Sequence, residues 1–444
     1  MDPRDDTVVG VVSATTDVGN RVARAAAAAS GWARTSAGDR SGALKEAARE
    51  LRDRVDELAE LQSREMGKPL QDSRGGVLAG IGSLETYAEL APLHRGRSLQ
   101  GSWSATDVMV WEPRGVCAVI TPWNDPVAIS LQDVGAALAA GNAVLLKPSE
   151  RAPLAAGRAA EVLATHLPAD VLQVLQGDGR VGAELCSDPR VDVVVHVGSS
   201  ETGRSIAEAC ARNGGKAVLE GGGKDACVVD ADVDPAWAAS QVALGAFANS
   251  GQVCVSIERV YVHADVAEAF LEALVAEAHA RSIGPLVDRS QRQLVHAHVA
   301  EAVAAGARRL TGGEVPSGAG AWYPPTVLVG CHHGMRLMTD ETFGPVAAVQ
   351  VLPDFDAMLQ AAGRSRYGLA AVVLTADQEH AQRAVRELPV STVKVNAAFG
   401  GAPGGAATPG RGSGTGFGYG PELLDELSRC KVVHLEPAVT RAVR

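Results

Sequence analysis

Aromatic side chains are scarce in this chain: six Trp, five Tyr and six Phe make up 4% of 444 residues, and Ala and Gly are abundant. A basic excess is missing too. Forty-one Lys and Arg stand against 52 Asp and Glu, a net charge of −11, which argues against a nucleic-acid partner because phosphates require a cationic surface. No apolar run reaches the length of a bilayer span, so no membrane association is expected. The start, Met1-Asp2-Pro3-Arg4-Asp5-Asp6, is too acidic and polar for a signal peptide. Closely spaced cysteine pairs are absent. The seven cysteines (117, 186, 210, 227, 254, 331 and 430) are odd in number and irregular in spacing, which suits reduced thiols in a cytoplasm better than a disulfide framework. His196, the pair His332-His333, and His296 with His298 lack further ligands at convincing spacing, so no metal is expected.

What is present reads as a globular α/β protein. Apolar residues make up 46% and charged residues 21%, and the length calls for two or three domains. Residues 17–63 read as two helices, the second running from Ala43 to Arg64, and Gly75–Leu93 as another. Asp107–Glu112 and Val116–Thr121 read as strands around Pro113-Arg114-Gly115. Then short apolar runs (Ala143–Leu146, Val171–Gln173, Val191–Val197, Ala217–Glu220) alternate with helical stretches (Leu154–Thr165, Val181–Leu185, Ser200–Asn213). This rhythm predicts a mostly parallel sheet covered on both faces. A second set begins at Ala226–Val229 and includes a helix over Asp234–Asn249 and strands at Arg259–His263, Val346–Val351 and Ala370–Leu374. Gly400–Gly420 reads as a loop and Leu427–Leu435 as a final strand.

Several residue patterns suggest chemistry. In Phe247-Ala248-Asn249-Ser250-Gly251-Gln252-Val253-Cys254 a cysteine follows a Gly-Gln turn. Attack on a carbonyl needs its thiolate, so such a site is expected to lower the thiol pKa with a helix N-terminus or a cation. Glu220 ends a strand before Gly221-Gly222-Gly223 and could activate water as a general base. Asn124, in Pro122-Trp123-Asn124-Asp125-Pro126, could give a side-chain N–H to an oxyanion, a contact often worth about 3 kcal/mol in a transition state. Val191–Val197 leads through Gly198-Ser199 into a helix, and a helix N-terminus there would bind an anion such as a pyrophosphate. Each piece alone has a plain structural reading: a packing cysteine, a polar strand end, an Asn in a turn.

Taken in order with Lys147-Pro148-Ser149-Glu150 and Glu341-Thr342-Phe343-Gly344-Pro345, these segments resemble the aldehyde dehydrogenase superfamily from about Arg40 to the C-terminus. The resemblance implies an α/β fold. A Rossmann-like NAD-binding domain (1–93 and 114–222), a catalytic α/β domain (223–400) and a small β oligomerisation element (94–113 and 415–444) are expected. It implies Cys254 as nucleophile, Glu220 as base and Asn124 as oxyanion donor. Trp123, Lys147, Glu150, Gly198, Ser199, Glu341 and Phe343 are implied as the cofactor site. A carboxylate at Glu150 favours NAD over NADP, because it accepts bonds from ribose hydroxyls and repels a 2′-phosphate. The implied reaction oxidises an aldehyde to its acid through a thiohemiacetal and a thioester on Cys254, in a homodimer or homotetramer. The alternatives are a dehydrogenase that passes the thioester to coenzyme A, and an impaired relative with a binding or structural role.

The chain also departs from the family. Asp125 replaces an aromatic, Asp133 a lysine, His196 an aromatic and Gly221 a leucine, and the late loop reads Pro409-Gly410-Arg411-Gly412. Gly221 is expected to loosen the aim of Glu220. A segment before Ile283-Gly284-Pro285 is shortened. If Asp125, Gln132 and Pro409-Gly410 faced the substrate tunnel, it would be wide and wet, and Asp125 would favour an aminoaldehyde over a carboxylated one.

Overall fold

The computed structural model describes residues 1–401 and 404–438. Parts of two sequence readings, the loop at 402–403 and the tail at 439–444, lie outside them. The first sheet has six strands in the order Gly414–Thr415, Lys216–Glu220, Val193–Val197, Val116–Ile120, Ala143–Lys147 and Leu172–Val174. All but the first run parallel. Three of these strands are buried along their full length, which is why they read as apolar runs rather than alternating ones. Alternate residues still part company. Cys117 and Val119 join one core with helices Ala37–Asp53, Leu70–Leu90, Pro126–Ala139 and Pro153–Ala164, whereas Val116, Ala118 and Ile120 join a second with Val18–Arg34 and Gly179–Ser187.

The second sheet has seven strands, ordered Arg308–Thr311, Thr326–Val329, Val346–Leu352, Ile257–His263, Asp225–Val229, Ala370–Leu374 and Thr392–Val395. Only the first pairs antiparallel. A third, antiparallel sheet joins Arg97–Leu99, Thr106–Pro113 and Ser428–Leu435. The mixed α/β class with mainly parallel sheets is therefore as expected. No helix among the described residues is long and apolar enough to cross a membrane.

Three local readings change. The helix expected from Ala43 to Arg64 breaks at Arg54, giving Ala37–Asp53 and Val55–Met66. The helix Pro126–Ala139 escaped notice because it is buried nearly all round and so lacks a polar face to set its period. The glycine-rich loop contributes two short bridges, Gly410–Arg411 to Tyr367–Gly368 and Gly414–Thr415 to the Glu220 strand.

Candidate active site

Strand Val116–Ile120 has its successor, Ala143–Lys147, on one side and Val193–Val197 on the other. The winding reverses there, and a crevice opens beyond the carboxyl ends of these strands. Pro122-Trp123-Asn124 leaves one end and Gly198-Ser199 the other. The Ser199 hydroxyl caps helix Ser200–Asn213 by accepting from the Thr202 N–H at 3.2 Å.

The cysteine is delivered by a strained turn. Asn249, Ser250 and Gly251 are all left-handed, at φ 46°, 58° and 72°, a conformation that costs non-glycine residues roughly 1–3 kcal/mol each. Side chains hold it. Asn249 Nδ2 donates to the carbonyls of Asn124 and Gln252, both at 3.1 Å, and Ser250 Oγ to that of Gly284 at 2.6 Å. The buried Gln252 side chain donates to the Asn249 carbonyl and accepts from the Val287 N–H. Asn124 Nδ2 donates to the Gln252 carbonyl at 3.2 Å, and an amide nitrogen carries a second N–H.

Glu220 ends its strand pinned rather than loose. The Gly221 N–H donates to the Ser413 carbonyl at 2.6 Å, and a Cβ on Gly221 would come within 2.6 Å of Ser200 Oγ. Glycine is thus needed for close packing here, and the expected loosening is not found. The Glu220 carboxyl and the Cys254 thiol are close enough to influence each other's protonation. Burial raises the Glu220 pKa, and that thiol contact partly offsets it. The thiol is itself pushed well above its usual range, by burial and then by the charges of Glu220, Asp225 and Glu341. The expected lowering is absent because burial, and then the nearby carboxyl groups, disfavour the thiolate.

A loop from the second sheet completes the site. Glu341 Oε1 accepts from the Gly223 N–H at 3.0 Å, and burial lifts the Glu341 pKa to about 8. Phe343 is left-handed at φ 51° and meets Trp123 edge-on, with ring centroids 5.2 Å apart. This loop hangs on Glu258, which accepts from the N–H groups of Thr342 and Phe343 at 2.8 Å each and pairs with the buried Lys224.

Two cavities meet along the crevice. One of about 340 Å³ is lined by Trp123, Asn124, Gly198, Ser199, Cys254, Glu341 and Phe343, among others. The other, about 490 Å³, is lined by Trp123, Lys147, Glu150, Gly198 and Ser199 together with apolar Ile120, Ile206 and Ala209. Every expected site residue except Glu220 thus lines one or both. The chemistry of the linings fits a dinucleotide: an apolar pocket beside Lys147 and Glu150, a helix N-terminus midway, and aromatic rings beside the cysteine.

Of the departures, His196 and Gly221 lie in these linings, whereas Asp125, Asp133 and the late loop do not. Asp125 does not line the cavity of Cys254, because the Lys68 ammonium holds its carboxylate at 2.8 Å. Gln132 donates to Asp133 Oδ1 and to the Gly418 carbonyl, and Gly410 bridges to Gly368. None of Asp125, Gln132 and Gly410 therefore lines the cavity of Cys254, and an amine-selecting role for Asp125 draws no support from that cavity. Asp133 is fully buried, its Oδ2 has no partner, and burial pushes its pKa well above normal. His196 lines the larger cavity as a buried neutral ring, its pKa held down near 4 by burial.

Sequence reasoning missed Glu258, Arg151 and Gln291. A charged Glu258-Arg259 pair inside the otherwise apolar strand Ile257–His263 was the available signal for the first. Gln291 Nε2 donates to the carbonyls of Thr342 and Phe343, and nothing local in its helix marks it.

The model of the aldehyde dehydrogenase family matches residues 1–433. Among similar solved structures are a 3,6-anhydro-L-galactose dehydrogenase (31% identity, 98% of this chain and 95% of that one, TM-score 0.94) and lactaldehyde dehydrogenase from Escherichia coli (30%, 98% and 95%, TM-score 0.95). A betaine aldehyde dehydrogenase from Staphylococcus aureus, solved in complex with NAD+, is similar at 27% identity over 100% of this chain and 95% of that one, with a TM-score of 0.95. The chain belongs to the aldehyde dehydrogenase family and is an enzyme of aldehyde oxidation.

Proposed function

We propose that the protein oxidises its aldehyde with NAD through a covalent adduct on Cys254, resolved by water that Glu220 activates. The observation that carries this reading is the placement of Cys254, Asn124, Ser199, Glu341 and Phe343 around one cavity, with Glu220 and Cys254 near enough for each to shift the other's pKa. Trp123, Lys147, Glu150, Gly198, Ser199, Glu341 and Phe343 would hold the dinucleotide. Bound NAD supplies the hydride acceptor and a positive ring. The half-exposed Glu150 side chain would disfavour a 2′-phosphate, so NAD is preferred to NADP.

Glu220 first accepts the thiol proton and the sulfur adds to the aldehyde carbon; that proton then passes from Glu220 to solvent, which frees the carboxylate to act again. The free N–H of Asn124 and the Cys254 backbone N–H steady the oxyanion. After oxidation the carbon is held as a thioester. Glu220 takes a proton from water as its oxygen bonds that carbon, the C–S bond breaks, and the acid leaves with the thiolate restored.

The six-stranded sheet with its helices serves as the cofactor domain (1–93 and 114–222) and the seven-stranded sheet as the catalytic one (223–400). Strand Ser428–Leu435 is an edge of the three-stranded sheet, with Val432 and Leu435 exposed. A second copy pairing there would cover that edge and give a homodimer or homotetramer. The aldehyde would enter through a third cavity of about 680 Å³, walled by Arg281, Ser282 and Ile283 of the shortened segment and by Val253 beside the nucleophile.

NADH formation across aliphatic, aromatic, amino and carboxylated aldehydes tests the proposal. Cys254→Ala should abolish turnover, and Glu220→Gln, which loses both the thiol-proton acceptor and the base for water, should give at most a slow stoichiometric burst of NADH and then stall. Steady turnover in Cys254→Ala would sink it. Rescue of Glu220→Gln by coenzyme A alone would show only that the thioester can be intercepted, whereas a coenzyme A requirement in the wild type would establish the acylating alternative.

A further inference from the structure

Six residues line both crevice cavities: Pro122, Trp123, Arg151, Val197, Gly198 and Ser199. They form the waist between the two. A dinucleotide with its adenosine in the larger cavity and its nicotinamide beside Cys254 must carry its diphosphate through this waist. One wall is already suited to an anion, since Gly198-Ser199 opens helix Ser200–Asn213. The charged member of the six is Arg151.

Arg151 is held by weak contacts. Its guanidinium carbon lies 5.6 Å from the centre of the Trp123 ring. Its Nε is 3.3 Å from Asp288 Oδ2, and Nη1 donates to Gln291 Oε1 at 3.4 Å. The ion pair is about one-third exposed on both sides, a setting in which such pairs contribute little. A diphosphate offers shorter, bidentate, charge-assisted bonds. Asp288 does not depend on the arginine, because it also caps helix Arg289–Ala304 through the Gln291 N–H at 2.7 Å.

We infer that Arg151 is a diphosphate-binding residue of the dinucleotide cleft, and that it exchanges its contact with Asp288 for that anion. The inference rests on the NAD reading above and adds to it a cation opposite the helix N-terminus. It also links binding to the second sheet, since Gln291 holds the Thr342-Phe343 loop.

The test is equilibrium binding to the full-length protein, read by NADH fluorescence and, for adenosine, by calorimetry. Arg151→Ala should weaken NADH binding about tenfold and flatten its salt dependence, the expected loss of charge-assisted bonds. Adenosine carries no phosphate, so its affinity should be unchanged. Asp288→Asn keeps the helix cap and frees the guanidinium, so it should bind NADH at least as tightly as the wild type. Wild-type affinity in Arg151→Ala would overturn the inference. So would an equal loss of adenosine, which would mark a structural role, or an Asp288→Asn defect matching that of Arg151→Ala. A wild type that binds no NADH would overturn the NAD reading itself, before any variant is compared.

Discussion

The buried Lys224 ammonium is bonded to the Glu258 carboxylate, and that carboxylate accepts the backbone N–H groups of both Thr342 and Phe343. Lys224 follows the glycines after Glu220, and Phe343 faces Trp123 across the crevice. One ion pair therefore ties the strand end that carries the proposed base to the loop that carries the proposed cofactor contacts. Phe343 is left-handed, and the two N–H bonds to Glu258 help to hold that conformation.

Glu258→Gln should show how much depends on this pair. The amide keeps the size but leaves a charged Lys224 buried without a counter-ion, which typically costs about 3 kcal/mol. Denaturant unfolding should report a loss of that order, and NADH binding should weaken because the Phe343 loop is released. Wild-type stability would mean that Lys224 is neutral in the folded protein.

Gly251→Ala should be nearly as damaging for a different reason. Gly251 is at φ 72°, and a Cβ there would collide with the Gly344 carbonyl oxygen, which backbone alone supplies. The turn before Cys254 and the loop after Phe343 would have to separate. A drop in thermal stability together with loss of turnover is expected. An active, fully stable variant would show that the turn can relax without moving the cysteine.

The legible parts of the fold were those set by local pattern. Strands buried on both faces stand out as short apolar runs, and Ser200–Asn213 was bounded correctly because a serine cap and a closing Gly214 mark its ends. Pro126–Ala139 was invisible because it lacks a polar face. The residue types of the site were readable in order along the chain, but their orientation was not. Asp125 reads locally as a tunnel residue, whereas its carboxylate is bonded to Lys68, far away in sequence. Gly221 reads locally as slack, whereas Ser200 and Ser413 pack against it. Such contacts depend on tertiary partners that no local window contains.

Asp133→Asn should stabilise the protein at neutral pH. Burial raises the Asp133 pKa far above its ordinary value of 3.8, so the folded state holds a proton that the unfolded chain releases. Stability from such a group is complete below the unfolded pKa and is lost as pH rises toward the folded one, by about 1.4 kcal/mol per pH unit. Asn cannot ionise and avoids that loss. Unfolding free energies of the two proteins should therefore diverge in favour of Asn as pH rises above 3.8, the ordinary value from which the Asp133 pKa is raised. Parallel curves would place a counter-charge beside Asp133.

Val432→Glu should disrupt the proposed oligomer. Val432 is exposed on edge strand Ser428–Leu435 and lies opposite Met109. A second copy paired along that edge would bury the new charge or fail to form. Light scattering should show a smaller species with unchanged secondary structure. A wild-type mass would move the interface elsewhere.

Cys254 should be a slow thiol in the free protein and a fast one with NAD bound. Burial and the charges of Glu220, Asp225 and Glu341 hold its pKa well above the usual thiol range, so little thiolate exists at neutral pH. Its alkylation by iodoacetamide should keep rising with pH beyond 9.0, the ordinary thiol value, without the plateau of an activated cysteine. Glu220→Gln removes one of the charges that raise the pKa but also the proposed proton acceptor. If the charge dominates, the free variant should alkylate faster than the wild type. If proton acceptance dominates, it should be slower, and the acceleration by NAD should shrink with it. Fast alkylation of the wild type at neutral pH without NAD would overturn the raised thiol pKa and point to a cation that the carboxyl groups do not outweigh.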